Sequence, residues 1–191
     1  MRAPFCVCVA TLFACVCMLL PQHVNGQALP GFDEPSSIAI PDITLTNQDN
    51  RKVKLYRDVM KGKLVVLNFF YTKCEGVCST SGHWLSKLQG KLGDRLNRDV
   101  IIVSISIDPQ TDTPEKIRRW GEYWKRRPGW TLLTSTSNDV KELLKEFKPY
   151  PSKGVHSASV FVGIAEQNPV RWVALDILSE GDLLLNYLKS F

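Results

Sequence analysis

The sequence predicts an α/β fold, in which a mixed β-sheet is flanked by helices and includes an N-terminal β-hairpin. Residues 64–70 and 100–107 are nearly continuous apolar runs, which are typical of central strands covered on both faces. Apolar residues at helical spacing lie between these runs and complete a strand–helix–strand unit. The chain has 191 residues, enough for one domain and a short targeting segment, and its 44% hydrophobic and 23% charged residues are those of a globular protein.

Residues 1–26 have the pattern of a secretory signal peptide, in which Arg2 precedes an apolar stretch at residues 3–20 and cleavage follows Gly26. A membrane anchor through residues 3–20 is an alternative, because a spanning helix needs ~17 to 25 residues, and a lipid on Cys15 is another. In each case we expect an exported protein, in a periplasm or a secretory space. The mitochondrial intermembrane space is less favoured, because the segment lacks an Arg-rich amphipathic pattern.

Residues 27–39 are predicted to be a linker before a folded domain at residues 40–191. The linker holds prolines, glycine and serines without an apolar period. Residues 42–56 alternate between apolar and polar around Gln48-Asp49-Asn50, which predicts the β-hairpin. The main elements then follow in the order βαβαβαββα, with further helices at 78–96, 138–147 and 183–188 and further strands at 130–133, 158–162 and 170–177.

A basic, tryptophan-rich segment at residues 116–130 raises the question of nucleic-acid binding. The Thr113-Pro114 pair predicts a helix start, and this helix should end by residue 128. Its apolar residues recur at the spacing of one buried stripe, which consists of Ile117, Trp120 and Trp124. Its lysines and arginines then form the solvated face, so we expect no nucleic-acid ligand. The net charge of +5, or +4 without Arg2 and the rest of the signal, is only mildly basic.

Only two of the six cysteines, Cys74 and Cys78, lie outside the predicted signal. They follow the strand at 64–70, at the position where an open α/β sheet places its reactive groups. Their spacing puts both sulfurs on one helical face, and a helix N-terminus favours the thiolate. A disulfide between them would close too small a loop to stabilise the fold much. Metal binding and thiol–disulfide exchange both stay open for the pair, as do two incidental thiols.

Two histidines of the predicted domain could supply a third ligand. His83 is five residues past Cys78, which places it about 140° round the helix from that cysteine, so we interpret it as an exposed helix residue. His156 lies in a turn-rich segment that opens the strand at residue 158. From the residues alone, His156 is equally well a metal ligand or a hydrogen-bonded surface histidine.

Three segments resemble the SCO/SenC family of copper proteins: Asn68-Phe69-Phe70-Tyr71-Thr72-Lys73-Cys74-x-x-x-Cys78, Asp108-Pro109-Gln110-Thr111-Asp112-Thr113-Pro114 and Val155-His156-Ser157. The resemblance covers residues 40–191 and implies a thioredoxin-like fold. It also implies that Cys74, Cys78 and His156 bind copper, and that the protein helps to metallate the dinuclear copper site of cytochrome c oxidase. Asp108 matches the family's aspartate before proline, and we expect it to support the site.

Two thiolates and an imidazole form a soft set that suits Cu(I), and Cu(II) could be held with added ligands. Structural zinc would need a fourth protein ligand, and we find no candidate for it in the sequence. The family usually has proline after each cysteine and aspartate between them, whereas this chain has Glu75, Gly76 and Ser79 in those places. The turn at 162–168 also diverges, so partner choice and redox behaviour stay open.

We therefore expect a copper metallochaperone that passes copper to a recipient protein, a cytochrome c oxidase subunit, and that has redox activity towards the cysteines of its target. The alternative is an exported thiol–disulfide oxidoreductase that uses Cys74 and Cys78. The residues between the cysteines do not resemble the Cys-Gly-Pro-Cys of thioredoxin, and a pure thiol reductase has no need of His156. A peroxidase or a purely structural domain explains the residues less well.

Overall fold

The computed structural model describes residues 36–74, 76–147 and 159–177, together with residues 182, 184–186 and 188. Eight strands of this part form one mixed sheet in the order β1-β8-β7-β4-β5-β6-β2-β3. The strands are β1 Ser36–Ile38, β2 Thr44–Asn47, β3 Lys52–Lys54, β4 Leu64–Phe70, β5 Val100–Ser106, β6 Trp130–Thr134, β7 Ser159–Ile164 and β8 Val170–Asp176. The helices are α1 Val77–Leu92, α2 Pro114–Tyr123 and α3 Ser137–Phe147. The predicted fold class, a mixed sheet flanked by helices, is confirmed.

The centre of the sheet is the parallel pair β4 and β5, in which Leu64 lies opposite Val100 and Phe70 opposite Ser106. Every residue of both strands is buried, as the continuous apolar runs predicted. β6 extends the parallel part, and β7 joins β4 in the antiparallel sense. The carboxyl ends of β4 and β5 therefore meet at one edge, and this edge carries the cysteines.

Successive side chains of β4 enter two separate cores, because side chains alternate between the faces of a strand. Leu64, Val66 and Phe70 pack in one core with α1 and α2. Val65, Leu67 and Phe69 pack in the other, with α3 and a π-helical segment at Leu55–Met60. Each face of the sheet is thus covered.

The predicted hairpin is confirmed, since β2 and β3 pair in the antiparallel sense across a turn at residues 47–51. Asn50 adopts a left-handed backbone, with φ of 58°, and its N–H donates to the carbonyl of Asn47 at 3.0 Å. β2 also pairs with β6, so the hairpin forms one end of the main sheet.

Part of the predicted linker is a strand, and the prediction is wrong there. β1 pairs in the antiparallel sense with β8, and Ile38 and Ile40 are buried. The Asn168 side chain accepts from the Ile40 N–H and donates to the Ile40 carbonyl, both at 2.8 Å. Three residues are too few to show a period, and their partners lie far along the chain, so no local pattern indicated this strand. Residues 27–35 lie outside the described part.

The basic segment is an amphipathic helix, as expected. Thr113 caps α2 by accepting from the Lys116 N–H at 3.3 Å, and Pro114 is the first helical residue. Ile117 is buried, and the half-buried Trp120 and Trp124 pack against the same core. Most of the basic side chains are exposed, namely Lys116, Arg118, Arg119, Lys125 and Arg127.

α1 begins one residue before the predicted start and ends at Leu92, where a short 3-10 turn at Gly93–Arg95 replaces its last predicted turn. Residues 182, 184–186 and 188 are helical, in agreement with the closing helix predicted at 183–188. Among the residues described, no helix combines the length and apolar character needed to cross a bilayer. The predicted signal and anchor at residues 1–26 lie outside that part of the chain.

Candidate metal centre

The two cysteines lie at the carboxyl end of β4, where the chain turns into α1. Residues 71–74 form a turn in which the Cys74 N–H donates to the Tyr71 carbonyl at 3.2 Å. Cys74 is half-buried in this turn, whereas Cys78 lies in the first turn of α1 and is only 6% exposed. One cysteine is therefore open to solvent and the other is part of the core.

The geometry brings the two cysteines into direct contact. The Cys78 backbone N–H donates to the Cys74 sulfur at 3.4 Å, and both thiols are free. This N–H belongs to the first turn of α1, where backbone donors have no helical acceptor and favour a negative sulfur. The predicted pair is thus brought together, but the prediction that both sulfurs lie on one helical face is wrong, because Cys74 precedes α1 and contacts Cys78 across the turn.

The surroundings affect the two thiols in opposite directions. Burial raises the pKa of Cys74, but hydrogen bonds from Cys78, from the Gly76 backbone and from the Tyr71 side chain outweigh it, so the pKa is lowered. Burial, followed by the hydrogen bond with Cys74, raises the pKa of Cys78 to about 12. Cys74 is therefore the sulfur that first becomes a thiolate.

Asp108 lies at the rim of this site, beyond the end of β5. It is half-buried, and its backbone N–H donates to the Ser106 hydroxyl at 3.1 Å. Burial, then the sulfurs of Cys74 and Cys78, and then the charge of Asp108 raise the pKa of Tyr71. The structure thus brings Asp108 near Tyr71, the first residue of the turn that carries Cys74, while its supporting role stays a prediction.

The two histidines differ in what the structure describes. His83 is exposed on α1, as predicted, and its ring packs edge-on against Trp124 with 6.5 Å between the centroids. His156 lies outside the described residues, so its role as a ligand stays a prediction. Within the described ranges, no group of three or more His, Cys, Asp or Glu side chains is arranged to hold a metal.

Asp112 is a residue of the site that the sequence reasoning missed. It is 1% exposed, and its carboxylate accepts from the backbone and the hydroxyl of Thr72, two residues before Cys74. The available signal was a second aspartate four residues after Asp108, in the same motif. An aspartate beside a helix cap is usually an exposed loop residue, and its partner is 40 residues away.

The fold and the site define a class of protein: an α/β protein with a thioredoxin-like sheet and a pair of free cysteines at the strand-to-helix turn. Comparison with known proteins is more specific. The chain belongs to the SCO1/SenC family, whose model matches residues 34–171. The resemblance drawn from the three sequence segments is thereby confirmed.

Several members of this family are similar to the chain. The SCO1 protein homolog of Bacillus subtilis is 31% identical over 145 residues, which cover 74% of this chain and 68% of that protein. The solved structure of BsSco, a member of the Sco family of cytochrome c oxidase assembly proteins with a disulfide switch, has 25% identity and a TM-score of 0.69 over 83% of this chain and 95% of that one. Bradyrhizobium japonicum ScoI with copper bound has 23% identity and a TM-score of 0.66, over 81% and 99% of the two chains.

Further curated relatives match over about half of their own length. The family includes a lipoprotein of Bacillus anthracis and mitochondrial proteins of Arabidopsis thaliana and Saccharomyces cerevisiae. Its members thus occur in more than one compartment.

Proposed function

We propose that this protein is a copper metallochaperone that binds one copper ion through Cys74, Cys78 and His156 and delivers it to the copper site of cytochrome c oxidase. The observation that carries the proposal is the contact between two free cysteines at the start of α1, with the Cys78 N–H 3.4 Å from the Cys74 sulfur. Membership of the SCO1/SenC family supports copper as the metal and oxidase assembly as the setting.

The donor set suits copper as a cargo. Thiolates are soft ligands that favour Cu(I), and an imidazole completes a three-coordinate set, while Cu(II) would take added ligands. A low coordination number leaves a position at which a ligand of the recipient can attack. Metal binding also releases the proton of the buried Cys78 thiol, whose pKa is raised, so copper binding should weaken as the pH falls.

The location and the partner follow from the same proposal. We infer that residues 1–26 direct export, that residues 27–35 lead to the folded domain, and that copper is delivered outside the cytoplasm. The recipient is a copper-receiving protein, which we take to be a subunit of cytochrome c oxidase. Asp108 would support the metal-bound form, since its charge acts on Tyr71 at the start of the turn that carries Cys74.

Anaerobic titration of the reduced protein with Cu(I), against a chromophoric competitor, tests the proposal. We expect tight one-to-one binding in the wild type, and its loss in Cys74→Ala, Cys78→Ala and His156→Ala with the fold intact by circular dichroism. His83→Ala is the matched control, because that histidine is exposed on α1 and its ring packs against Trp124. Full affinity in His156→Ala would exclude the three-ligand site.

The unequal environment of the two thiols favours a second candidate, a thiol–disulfide oxidoreductase. The Cys74 thiolate would attack a disulfide of a target protein and form a mixed disulfide, releasing one target thiolate. The Cys78 thiolate would then attack the Cys74 sulfur, closing an internal disulfide and releasing the second target thiolate, so that two electrons pass to the target. The combination of a half-buried, lower-pKa thiol with a buried, higher-pKa thiol suits these two steps.

The same variants separate the two functions. Copper delivery requires His156, whereas disulfide exchange requires only the cysteines. Weak copper binding that is equal in the wild type and in His156→Ala, together with reduction of a model disulfide by both proteins, would favour the oxidoreductase.

A further inference from the structure

Asp112 is a buried carboxylate that joins two segments at the carboxyl edge of the sheet. Its Oδ2 atom accepts from the Thr72 N–H at 3.0 Å and from the Ser106 hydroxyl at 2.6 Å. Its Oδ1 atom accepts from the Thr72 hydroxyl at 2.5 Å. Buried carboxylates are rare unless they are bonded in this way, and two of the three bonds go to Thr72, the second residue of the cysteine turn at residues 71–74.

The loop that carries Asp112 is held independently of the cysteines. The Asp108 carbonyl accepts from the N–H groups of Thr111 and Asp112, at 3.0 and 2.8 Å. The next residue, Thr113, caps α2. The backbone around Asp112 is therefore held by its own loop and by the start of α2, and the Asp112 carboxylate bonds the cysteine turn from that loop.

The cysteine turn has fewer backbone hydrogen bonds of its own than the loop that carries Asp112. The internal bond of the turn joins the Cys74 N–H to the Tyr71 carbonyl. In a turn of this kind the N–H of the second residue, here Thr72, has no acceptor within the turn. Asp112 accepts from that N–H. The turn also lies over the inner thiol, because Tyr71 and Cys74 pack against the core that contains Cys78.

We propose that Asp112 is a positioning residue of the cysteine site, and that its link to Thr72 holds the turn in the conformation that brings the two sulfurs together. The copper part of this proposal rests on the proposed function of the pair. Removing the link should loosen the turn, separate the sulfurs and uncover Cys78.

The first test is the Cu(I) affinity of the purified protein and of Asp112→Ala, measured anaerobically against a chromophoric competitor. Loss of a residue that supports metal ligands typically lowers affinity by about 10- to 100-fold, and we expect a loss in this range. Ser104→Ala is the matched control. Ser104 is also fully buried on β5, two residues before Ser106 on the same face, but its hydroxyl bonds Asn68 and Trp130 instead of the cysteine turn.

The second test needs no copper and measures the rates at which iodoacetamide alkylates Cys74 and Cys78 in the reduced, metal-free protein. We expect the ratio of the Cys74 rate to the Cys78 rate to fall in Asp112→Ala, because the loosened turn uncovers Cys78. The ratio in Ser104→Ala should stay close to that of the wild type, even where that variant is less stable. A structural role alone would lower the stability of both variants without separating them in this ratio.

A conservative variant and a partner variant complete the design. Asp112→Asn keeps one oxygen for the Thr72 N–H and Ser106, and the Thr72 hydroxyl can reverse to accept from the new amide, so this variant should retain most of the affinity. Thr72→Val keeps the shape and the N–H but loses the hydroxyl donor, and it probes the link if Asp112→Ala does not fold. We expect it to fall between Asp112→Ala and the wild type.

The outcomes separate this proposal from the proposed function. If the wild type does not bind copper, the copper function fails, and the alkylation ratio alone decides whether Asp112 positions the turn. If the wild type binds copper but the folded variants of Asp112 and Thr72 match it in affinity and in alkylation ratio, the positioning role is excluded. Equal losses in Asp112→Ala and Ser104→Ala would also exclude it.

Discussion

Two segments of the chain, the cysteine turn and the segment after β1, are each bonded by one polar side chain that lies far away in sequence. Asp112 holds the cysteine turn through Thr72, and Asn168 holds the entry to the sheet through both backbone groups of Ile40. Asp112 is almost fully buried, whereas Asn168 is exposed in the β7–β8 turn. The buried link lies beside the candidate site and the exposed link serves an edge strand, so the same type of contact should have different energetic weight in the two places.

The largest expected effect lies in the turn held by Asp112, where the two thiols should differ in reactivity. The lowered pKa of Cys74 and the value of about 12 for Cys78 imply very different thiolate fractions near pH 8. We expect Cys74 to be alkylated about 100-fold faster or more, since the thiolate is the reactive form. Mass spectrometry of a quenched time course measures both rates. Equal rates would mean that the turn does not distinguish the sulfurs.

The next effect is the stability of the buried link. Asp112→Ala removes the acceptor of the Thr72 N–H and of the Thr72 and Ser106 hydroxyls. We expect the free energy of unfolding to fall by about 2 to 3 kcal/mol. Urea unfolding followed by circular dichroism measures this loss. A loss below that of Asn168→Ala would contradict the ranking of the buried link above the exposed one.

The exposed link should matter less. Asn168→Ala removes two hydrogen bonds to Ile40, but water can replace them, so we expect a loss of about 1 kcal/mol or less in the free energy of unfolding. The change should be local, and amide exchange should speed up at Ile40 and along β1 more than in β4. Uniform acceleration across the sheet would show instead that β1 is coupled to the whole fold.

The Asp139 carboxylate adds a third case, in which both hydrogen-bond donors lie within four residues of the acceptor in sequence. Hydrogen bonds from Thr136 and then Ser135 hold the pKa of Asp139 below its usual value of 3.8. Because the folded state binds this proton more weakly than the unfolded state, the bonds stabilise the protein above the usual pKa, and the stabilisation is lost as the pH falls through the lower, folded value.

This is the smallest of the expected effects, about 0.5 kcal/mol or less, because the partly buried Asp139 carboxylate is screened by solvent. The free energy of unfolding should drop more between pH 5 and pH 3 in the wild type than in Asp139→Asn, when both are measured by urea unfolding. Equal drops in the two proteins would assign no net stabilisation to these bonds.

Local patterns explain why much of the fold was predictable from the sequence. The central strands are continuous apolar runs, and α2 carries its cap and its first-turn proline in adjacent positions, so each signal lies inside the element that it specifies. β1 is different, because its three residues are set by pairing with β8, more than 130 positions away. The family resemblance supplied the connection among distant segments that periodicity could not.

The same distinction applies to the site. The cysteine pair is a local signal, since the two residues are only four apart and meet across the turn that leads into α1. The role of Asp112 depends on the parallel pairing of β4 with β5, which no local pattern contains. The opposite pKa shifts of the two thiols likewise come from burial and from a particular set of hydrogen bonds, so spacing alone could not assign them.

The parallel pairing of β4 and β5 also sets an order of events for a newly made chain. Cys74 and Cys78 are neighbours in sequence and can meet within a short flexible loop, whereas Thr72 and Asp112 meet only after a 40-residue crossover has closed. An oxidant can therefore reach the two thiols before the sheet has formed. Whether a chain matures as the dithiol or the disulfide then depends on the rate of folding relative to the rate of thiol oxidation. Slower closure of the crossover between β4 and β5 would favour the disulfide.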